Sequence, residues 1–188
     1  MRTPTRFPEL HELRRFSAAE YERIVDLDIL REEEELELLD GFLIHKTPAT
    51  PAHDAAVSNL GGRLVNLVPD RCFVQRQARM NLPDSRLAPD AVIFGGPEAG
   101  VISLVAEVAD AGLQFDRVDK GRIYARVSIP QYWVVNLVDR QIEVYTDPTG
   151  PVSVPVYRRR QDYPVGATVP VELDGTAVGT VSVDEVLP

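Results

Sequence analysis

Two acidic residues stand in this chain where buried strands would otherwise be wholly apolar. Asp90 opens the run Pro89-Asp90-Ala91-Val92-Ile93-Phe94, and Glu107 interrupts Val101-Ile102-Ser103-Leu104-Val105-Ala106-Glu107-Val108-Ala109. An ionised carboxylate in such surroundings is expensive unless something positive binds it. Nine residues beyond Glu107 comes Asp116, and Lys120 lies four residues further in a helix-like stretch, with Tyr124 one turn later on the same face. Asp, Glu and Lys in this order, on two strands and the helix that follows, could form a divalent-metal site served by an ammonium. Mg²⁺ takes one or two carboxylates together with waters and phosphate oxygens. Adjacent antiparallel strands can bring two such carboxylates within reach of one ion. An ion held there would lower the pKa of a bound water and stabilise charge on a phosphodiester. Lys120 would orient the attacking water or neutralise the developing charge.

Each piece also has a plainer reading. Pro89-Asp90 alone is commonly just a turn. Asp116 and Lys120 alone read as a surface pair that stabilises its helix by about 0.3 kcal/mol. Glu107 is harder to explain away, because its strand is near-continuously apolar, as a central strand covered on both faces would be.

The elements that would carry these residues can be read from local signals. Ser17-Ala18-Ala19-Glu20 is a capping-box pattern and predicts a helix to about Leu27. Asp40-Gly41 between apolar stretches predicts a two-residue hairpin within Glu35 to His45. Thr50-Pro51 reads as an N-cap followed by Pro at the first helical position, and Val57, Leu60, Leu64 and Leu67 recur at helical spacing until Pro69-Asp70. Gly61-Gly62 within that helix reads as a close-packing face. Arg71 to Leu82 and Leu87 to Phe94 read as strands joined by a loop around Pro83-Asp84-Ser85, and Gly95 to Gly100 as a loop. Phe115 to Val127 reads as a helix stopped by Ile129-Pro130. Tyr132 to Val138 and Gln141 to Thr146 read as a hairpin around Asp139-Arg140. Short strands over Val152–Tyr157 and Thr168–Leu173 complete the chain. The order implies an α/β or α+β domain with a mixed sheet flanked by helices.

Composition bounds the rest. The chain has 188 residues, 44% of them hydrophobic and 26% charged, which suits one globular domain, 1–188, with a core over 17–146 and a β-rich extension over 147–188. No segment approaches the roughly 20 apolar residues of a membrane span, and Met1 to Arg15 lacks an apolar signal region, so a cytoplasmic protein is expected. Cys72 is the only cysteine, which excludes an internal disulfide and a thiolate zinc cluster. The net charge of −9 argues at first against nucleic acid, but ten acidic residues and two arginines between Glu20 and Asp40 carry −8 of it. The run Glu32-Glu33-Glu34-Glu35 reads as a solvated face. Elsewhere Arg71, Arg76, Arg79 and Arg86 lie close in sequence, as do Arg117, Lys120, Arg122 and Arg126. Tyr132 and Trp133 could stack on a base, yet they alternate faces in an apolar strand, so at least one is expected in the core. Arg158-Arg159-Arg160 could touch a phosphate backbone or stay solvated. The chain has no His-Glu-x-x-His, no nucleophile elbow, no phosphate-cradling Gly loop and no dinucleotide fingerprint; Gly95-Gly96 is too short and is followed by Pro97.

Pro89-Asp90 followed by Glu107-Val108-Ala109 resembles the signature of the PD-(D/E)XK nuclease superfamily. Glu37-Leu38-Leu39-Asp40-Gly41, Thr47-Pro48-Ala49-Thr50-Pro51-Ala52-His53, Ala88-Pro89-Asp90, Leu104-Val105-Ala106-Glu107-Val108, Asp116-Arg117-Val118-Asp119-Lys120, Tyr124 and Ile129-Pro130-Gln131-Tyr132-Trp133-Val134-Val135 follow in sequence. Together they resemble the Uma family ("Uma-two") of restriction-endonuclease-like proteins over about residues 17 to 146. The resemblance implies a restriction-endonuclease-like core, with Asp90 and Glu107 as ligands of Mg²⁺ (or Mn²⁺), DNA as substrate and a homodimer. In the wider superfamily the lysine stands two residues after the acid of the second strand. Ala109 occupies that place here, and the Uma branch supplies the amine from the next helix, at Lys120. The chain also lacks the Ser-Pro-Ser run of many relatives, reading Ala109-Asp110-Ala111-Gly112 instead. Glu37 matches an acidic residue before the Asp-Gly turn and would either extend the metal site or face outward. His53 matches a histidine at the start of the second helix, either a phosphate or water contact or a residue bonding a neighbouring loop. Asp116 and Tyr124 are further accessory candidates. His11 and His45 have no partner pattern. The expected function is a metal-dependent DNA endonuclease; the alternative is a catalytically idle nuclease-fold protein acting as an interaction or regulatory module.

Overall fold

The computed structural model describes residues 13–30, 34–95 and 100–188. His11, Arg31, Glu32, Glu33, Gly96 and Pro97, which figure in the sequence reading, lie outside the described residues; Glu34 and Glu35 are exposed. Along the chain run α1 (Ala18–Asp26), β1 (Leu36–Leu39), β2 (Phe42–His45), α2 (Pro51–Leu67), β3 (Phe73–Arg76), β4 (Met80–Leu82), β5 (Ser85–Leu87), β6 (Ala91–Phe94) and β7 (Ile102–Ala109). A three-part helix follows: α3 (Leu113–Phe115), a π-helical segment (Asp116–Lys120) and α4 (Gly121–Arg126). Then come β8 (Gln131–Asn136), β9 (Gln141–Pro148), β10 (Tyr157–Pro164), β11 (Thr168–Leu173), β12 (Thr176–Ser182) and α5 (Val183–Val186).

Local chemistry sets several of these boundaries. Ser17 caps α1 by accepting from the Glu20 N–H at 3.2 Å while the Glu20 carboxylate accepts from the Ser17 N–H at 2.9 Å, a reciprocal capping box. Asp40 and Gly41 both have positive φ, +47° and +83°, as the tight turn between β1 and β2 requires. Thr50 caps α2 with Pro51 at its first position. Three strand expectations are corrected. Arg71 to Leu82 is not one strand, because Gln77 takes a left-handed φ of +48° and separates β3 from β4. Leu87 to Phe94 is broken by Pro89, which has no N–H for a ladder, so β5 ends at Leu87 and β6 begins at Ala91. Residues 152–154 bend and form no ladder, and the strand predicted there starts at Tyr157 instead.

The chain divides into two compact units, Met1–Lys46 with Asn81–Leu87, and Thr47–Met80 with Ala88–Pro188. The first carries α1 and a sheet of order β2-β1-β5-β4. The second holds a six-stranded mixed sheet of order β10-β9-β8-β7-β6-β3 and the β11-β12 ribbon. Only the β7–β8 pair is parallel in the six-stranded sheet, and the helix from Leu113 to Arg126 makes its crossover.

One face of that sheet is apolar. Ala91, Ile93, Leu104, Ala106, Val108, Trp133, Val135 and Ile142 pack with Ala56, Val57, Leu60 and Leu64 of α2 and with Val169, Val171, Val181 and Val186. Gly61 on α2 is close-packed, since a Cβ there would meet Arg76 Cδ at 2.8 Å, whereas Gly62 has nothing within 4 Å. At the end of β6, a Cβ on Gly95 would lie 2.2 Å from Cys72 Sγ and 2.9 Å from its Cβ. Gly95→Ala is therefore expected to destabilise the second unit by about 1–3 kcal/mol through overpacking. Urea unfolding checks this, and Cys72→Ala in the same chain should recover only part of the loss, since the residue 72 Cβ still lies 2.9 Å away.

Candidate active site

The opposite face of the six-stranded sheet carries the acids. Ala91 pairs with Ala106 and Val92 with Val105, so the same register puts Asp90 across from Glu107. Glu107 pairs in turn with Val134, and Val134 with Glu143. Paired residues share a face, so Asp90, Glu107, Val134 and Glu143 form one row across four adjacent chain segments. Asp90, Glu107 and Glu143 are all buried.

Two clusters hold this row. At Asp90, Oδ2 accepts from the Val108 N–H at 2.7 Å and lies 3.4 Å from His53 Nε2. His53 is in the first turn of α2, and Thr50 places it there. The Thr50 hydroxyl accepts from the His53 N–H at 3.1 Å and donates to Asp110 Oδ2 at 2.6 Å, tying the helix start to the end of β7. The bond with Asp90 holds the His53 imidazole protonated to about 9, against the opposing effect of burial and with help from Asp54 and Asp110. Since its folded pKa is raised, this contact stabilises fully below the ordinary imidazole value of 6.5 and is lost as pH rises through about 9. An NMR titration of His53 in the absence of divalent ions is expected to give a midpoint near 9; a midpoint near 6.5 would mean that the Asp90 contact is not made in solution.

At Glu107, Oε1 accepts from the Tyr124 hydroxyl at 2.7 Å, and Oε2 lies 3.0 Å from Lys120 Nζ. The same ammonium lies 3.2 Å from Asp116 Oδ1. Asp116 is thus buried and Lys120 mostly covered, with side-chain exposures of 9% and 12%, and they are not the surface pair that their spacing alone suggests. Their segment is wound as a π turn, closed by the Gly121 N–H donating to the Asp116 carbonyl. Such turns are rare and often sit at functional sites. The Tyr132 hydroxyl also donates to the Asp116 carbonyl, at 3.0 Å. Burial, with the charges of Asp116 and Glu107 close by, pushes the Tyr132 phenol well above its ordinary range and keeps it a donor. Tyr132 and Trp133 are both fully buried, which removes them as base-stacking platforms.

Asp90, Glu107, Lys120, Asp116, Tyr124 and His53 therefore all belong to one unit and to two adjoining clusters. Glu37 belongs to the first unit, where it is buried with Lys46 Nζ 3.5 Å from its Oε1. His45 is exposed and bonds the Glu34 carbonyl at 3.0 Å.

Sequence reasoning missed the third acid of the row. Glu143 is fully buried and bonds Arg117 through both carboxylate oxygens, Nε lying 3.1 and 2.9 Å from them and Nη2 contacting Oε1. Asn136, Gln141 and Tyr145 donate to it at 2.8, 3.2 and 2.7 Å, and Arg160 Nη2 lies 3.3 Å away. Burial pushes its carboxyl up, but the bonds from Arg117, Tyr145, Asn136 and Gln141 prevail and hold it at about 2. Nothing in the sequence pairs Glu143 with Arg117, which stands three residues before Lys120 in the same helical segment.

The family model for Uma2, described as "Putative restriction endonuclease", matches residues 18–178. The chain belongs to the Uma2 family. A solved structure, described as a putative nuclease belonging to DUF820 from Anabaena variabilis, is similar to this Uma2 chain with a TM-score of 0.68 and 16% sequence identity. The match covers 91% of this chain and 97% of that one, and it bears out the expected mixed-sheet nuclease-type fold. No match was found among curated proteins. Among the described residues no helix is long and apolar enough to cross a membrane.

Proposed function

We propose that this Uma2 chain is a metal-dependent DNA endonuclease, with Asp90 and Glu107 as the metal-binding acids and Lys120 as the catalytic ammonium. The observation that carries the reading is the Asp90–Glu107 row with Lys120 Nζ 3.0 Å from Glu107. Restriction-endonuclease-like families generally depend on a metal ion. Among the described residues no group of three or more His, Cys, Asp or Glu side chains is arranged to hold one. Two facing carboxylates nevertheless fit Mg²⁺ or Mn²⁺, which keep several waters and take their remaining oxygens from substrate phosphate. An ion bound there supplies an activated water and charge neutralisation at the phosphodiester. The protein's own part is to hold the acids: Tyr124 fixes Glu107, and the Val108 N–H with His53 fixes Asp90. Lys120 keeps a positive charge beside the reacting phosphate. A homodimer would supply two such sites, one for each DNA strand.

Plasmid nicking in Mg²⁺ or Mn²⁺ tests the reading. Wild type is expected to nick and Glu107→Ala to lose the activity; equal nicking by the two would remove Glu107 from the mechanism, and none by wild type would overturn the proposal.

One observation favours a second reading, an idle site in an interaction module. Both acids are already compensated within the chain, Glu107 by Lys120 and Tyr124, and Asp90 by Val108 and His53. A melting scan with Mn²⁺ separates the two, because an ion bound to the folded state raises stability by about 2.7 kcal/mol at a hundred times its dissociation constant, whereas an idle site gives no shift.

A further inference from the structure

We infer that Arg117 and Glu143 form the positioning device that aims Lys120 at Glu107. The inference rests on the reading of Lys120 as the catalytic ammonium, but its geometry stands by itself. Glu107 and Glu143 lie in the same row of the sheet, on β7 and β9, with Val134 of β8 between them. Strand spacing puts those two strands roughly 10 Å apart. Arg117 and Lys120 are three residues apart in one turn, and each lands on one of these acids. The turn that spans the row is π-wound, and this winding sets the angle between the two cationic side chains.

Three tethers hold that turn to the sheet: Arg117 on Glu143, Lys120 on Glu107, and the Tyr132 hydroxyl on the Asp116 carbonyl. The Arg117 tether is the most heavily built. Its guanidinium meets both oxygens of a fully buried carboxylate, which Asn136, Gln141 and Tyr145 also fix, and Nη2 reaches Asp139 Oδ2 at 3.3 Å. A planar fork on a fixed carboxylate defines orientation as well as distance. Lys120, by contrast, is a flexible stem ending in a point charge and cannot fix its own backbone. With Arg117 released, the π turn is free to relax toward ordinary α winding, which changes the direction in which Lys120 leaves the helix.

The chain contains two lysines, Lys46 and Lys120. A ¹⁵N ammonium spectrum therefore reports on Lys120 directly, and the indole N–H of Trp133, the one tryptophan of the chain and fully buried in the same unit, is the internal control for folding. The decisive variant is Arg117→Met combined with Glu143→Gln. It removes both charges together, so that neither is left buried alone. In it, the Trp133 indole is expected to keep its signal while the Lys120 ammonium protons exchange faster and their resonance moves. The kcat for nicking should fall about 10²-fold with KM little changed, as misplacement of a catalytic group predicts. Arg117→Lys alone should restore part of both effects. An unchanged Lys120 signal in the folded variant would overturn the inference. If the double variant does not fold, Glu143→Gln, which is isosteric, decides the same comparison. Should wild type cleave no DNA, the endonuclease reading fails, while the Lys120 signal still decides whether Arg117 and Glu143 position it.

Discussion

Lys120→Met is expected to slow metal-dependent DNA cleavage by about 10²- to 10³-fold, the range found when a single group stabilising transition-state charge is removed. It should do so without abolishing metal binding, since Asp90 and Glu107 remain. The two effects separate in a melting experiment. Lys120 Nζ lies 3.0 Å from Glu107 and 3.2 Å from Asp116; both carboxylates are buried and Lys120 is mostly covered. Without the ammonium, two buried carboxylates lose the cation they share, and removing one partner from such a group costs roughly 3–5 kcal/mol. Lys120→Met should therefore melt lower than wild type in EDTA. It should also gain more from Mn²⁺ than wild type does, because the ion then supplies the missing positive charge. Glu107→Ala should show the reverse pattern, a smaller gain from Mn²⁺ than wild type. If Lys120→Met cleaves at the wild-type rate, the helix-borne amine has no catalytic part, whatever the metal does.

How much of this could be read from the chain depends on the range of the interaction. Ser17 with Glu20, Asp40-Gly41 and Thr50-Pro51 each act within four residues, and each element they predict is present. The placement of Glu107 was legible because a carboxylate in an apolar strand has few explanations. Lys120 was legible as a helix residue, but its burial was not: spacing along one helix gives no information about what covers that helix. Glu143 was hidden for the same reason. In Gln141-Ile142-Glu143-Val144-Tyr145 the alternation reads as one apolar and one solvated face. The supposedly solvated face is instead covered by the crossover helix, and Arg117 turns an ordinary polar position into a buried ion pair. The break between β3 and β4 was also out of reach, since it rests on Gln77 adopting a left-handed φ that its side chain does not announce. The same holds for the π winding of Asp116–Lys120, which tertiary tethers impose and propensity does not.

Arg117→Ala is expected to destabilise the protein about as strongly as Lys120→Met, by a different route. It leaves Glu143, which has no exposed surface, with Arg160 at 3.3 Å as the remaining cation beside its neutral donors. Breaking a buried pair in this way costs roughly 3–5 kcal/mol. The carboxyl points the same way: held at about 2 against an ordinary 4.5 by Arg117, Tyr145, Asn136 and Gln141 together, it corresponds to about 3 kcal/mol of stability near neutral pH, of which Arg117 supplies a part. The sign follows from the direction of the shift. A depressed carboxyl stabilises above its unfolded pKa, so the contribution is complete above about 4.5 and is lost as pH falls toward 2. In a protein of this size the loss should lower the melting temperature by roughly 10 °C at pH 7. The gap between wild type and Arg117→Ala, measured by urea unfolding, should narrow as pH falls through that window, because protonated Glu143 no longer needs Arg117. A gap that stays constant from pH 7 to pH 3 would mean that Arg117 stabilises by packing its stem and not by neutralising Glu143. The isosteric Glu143→Gln in the Arg117→Ala background makes the same distinction at a single pH. It should recover stability if the buried charge is the cause and leave it unchanged if packing is.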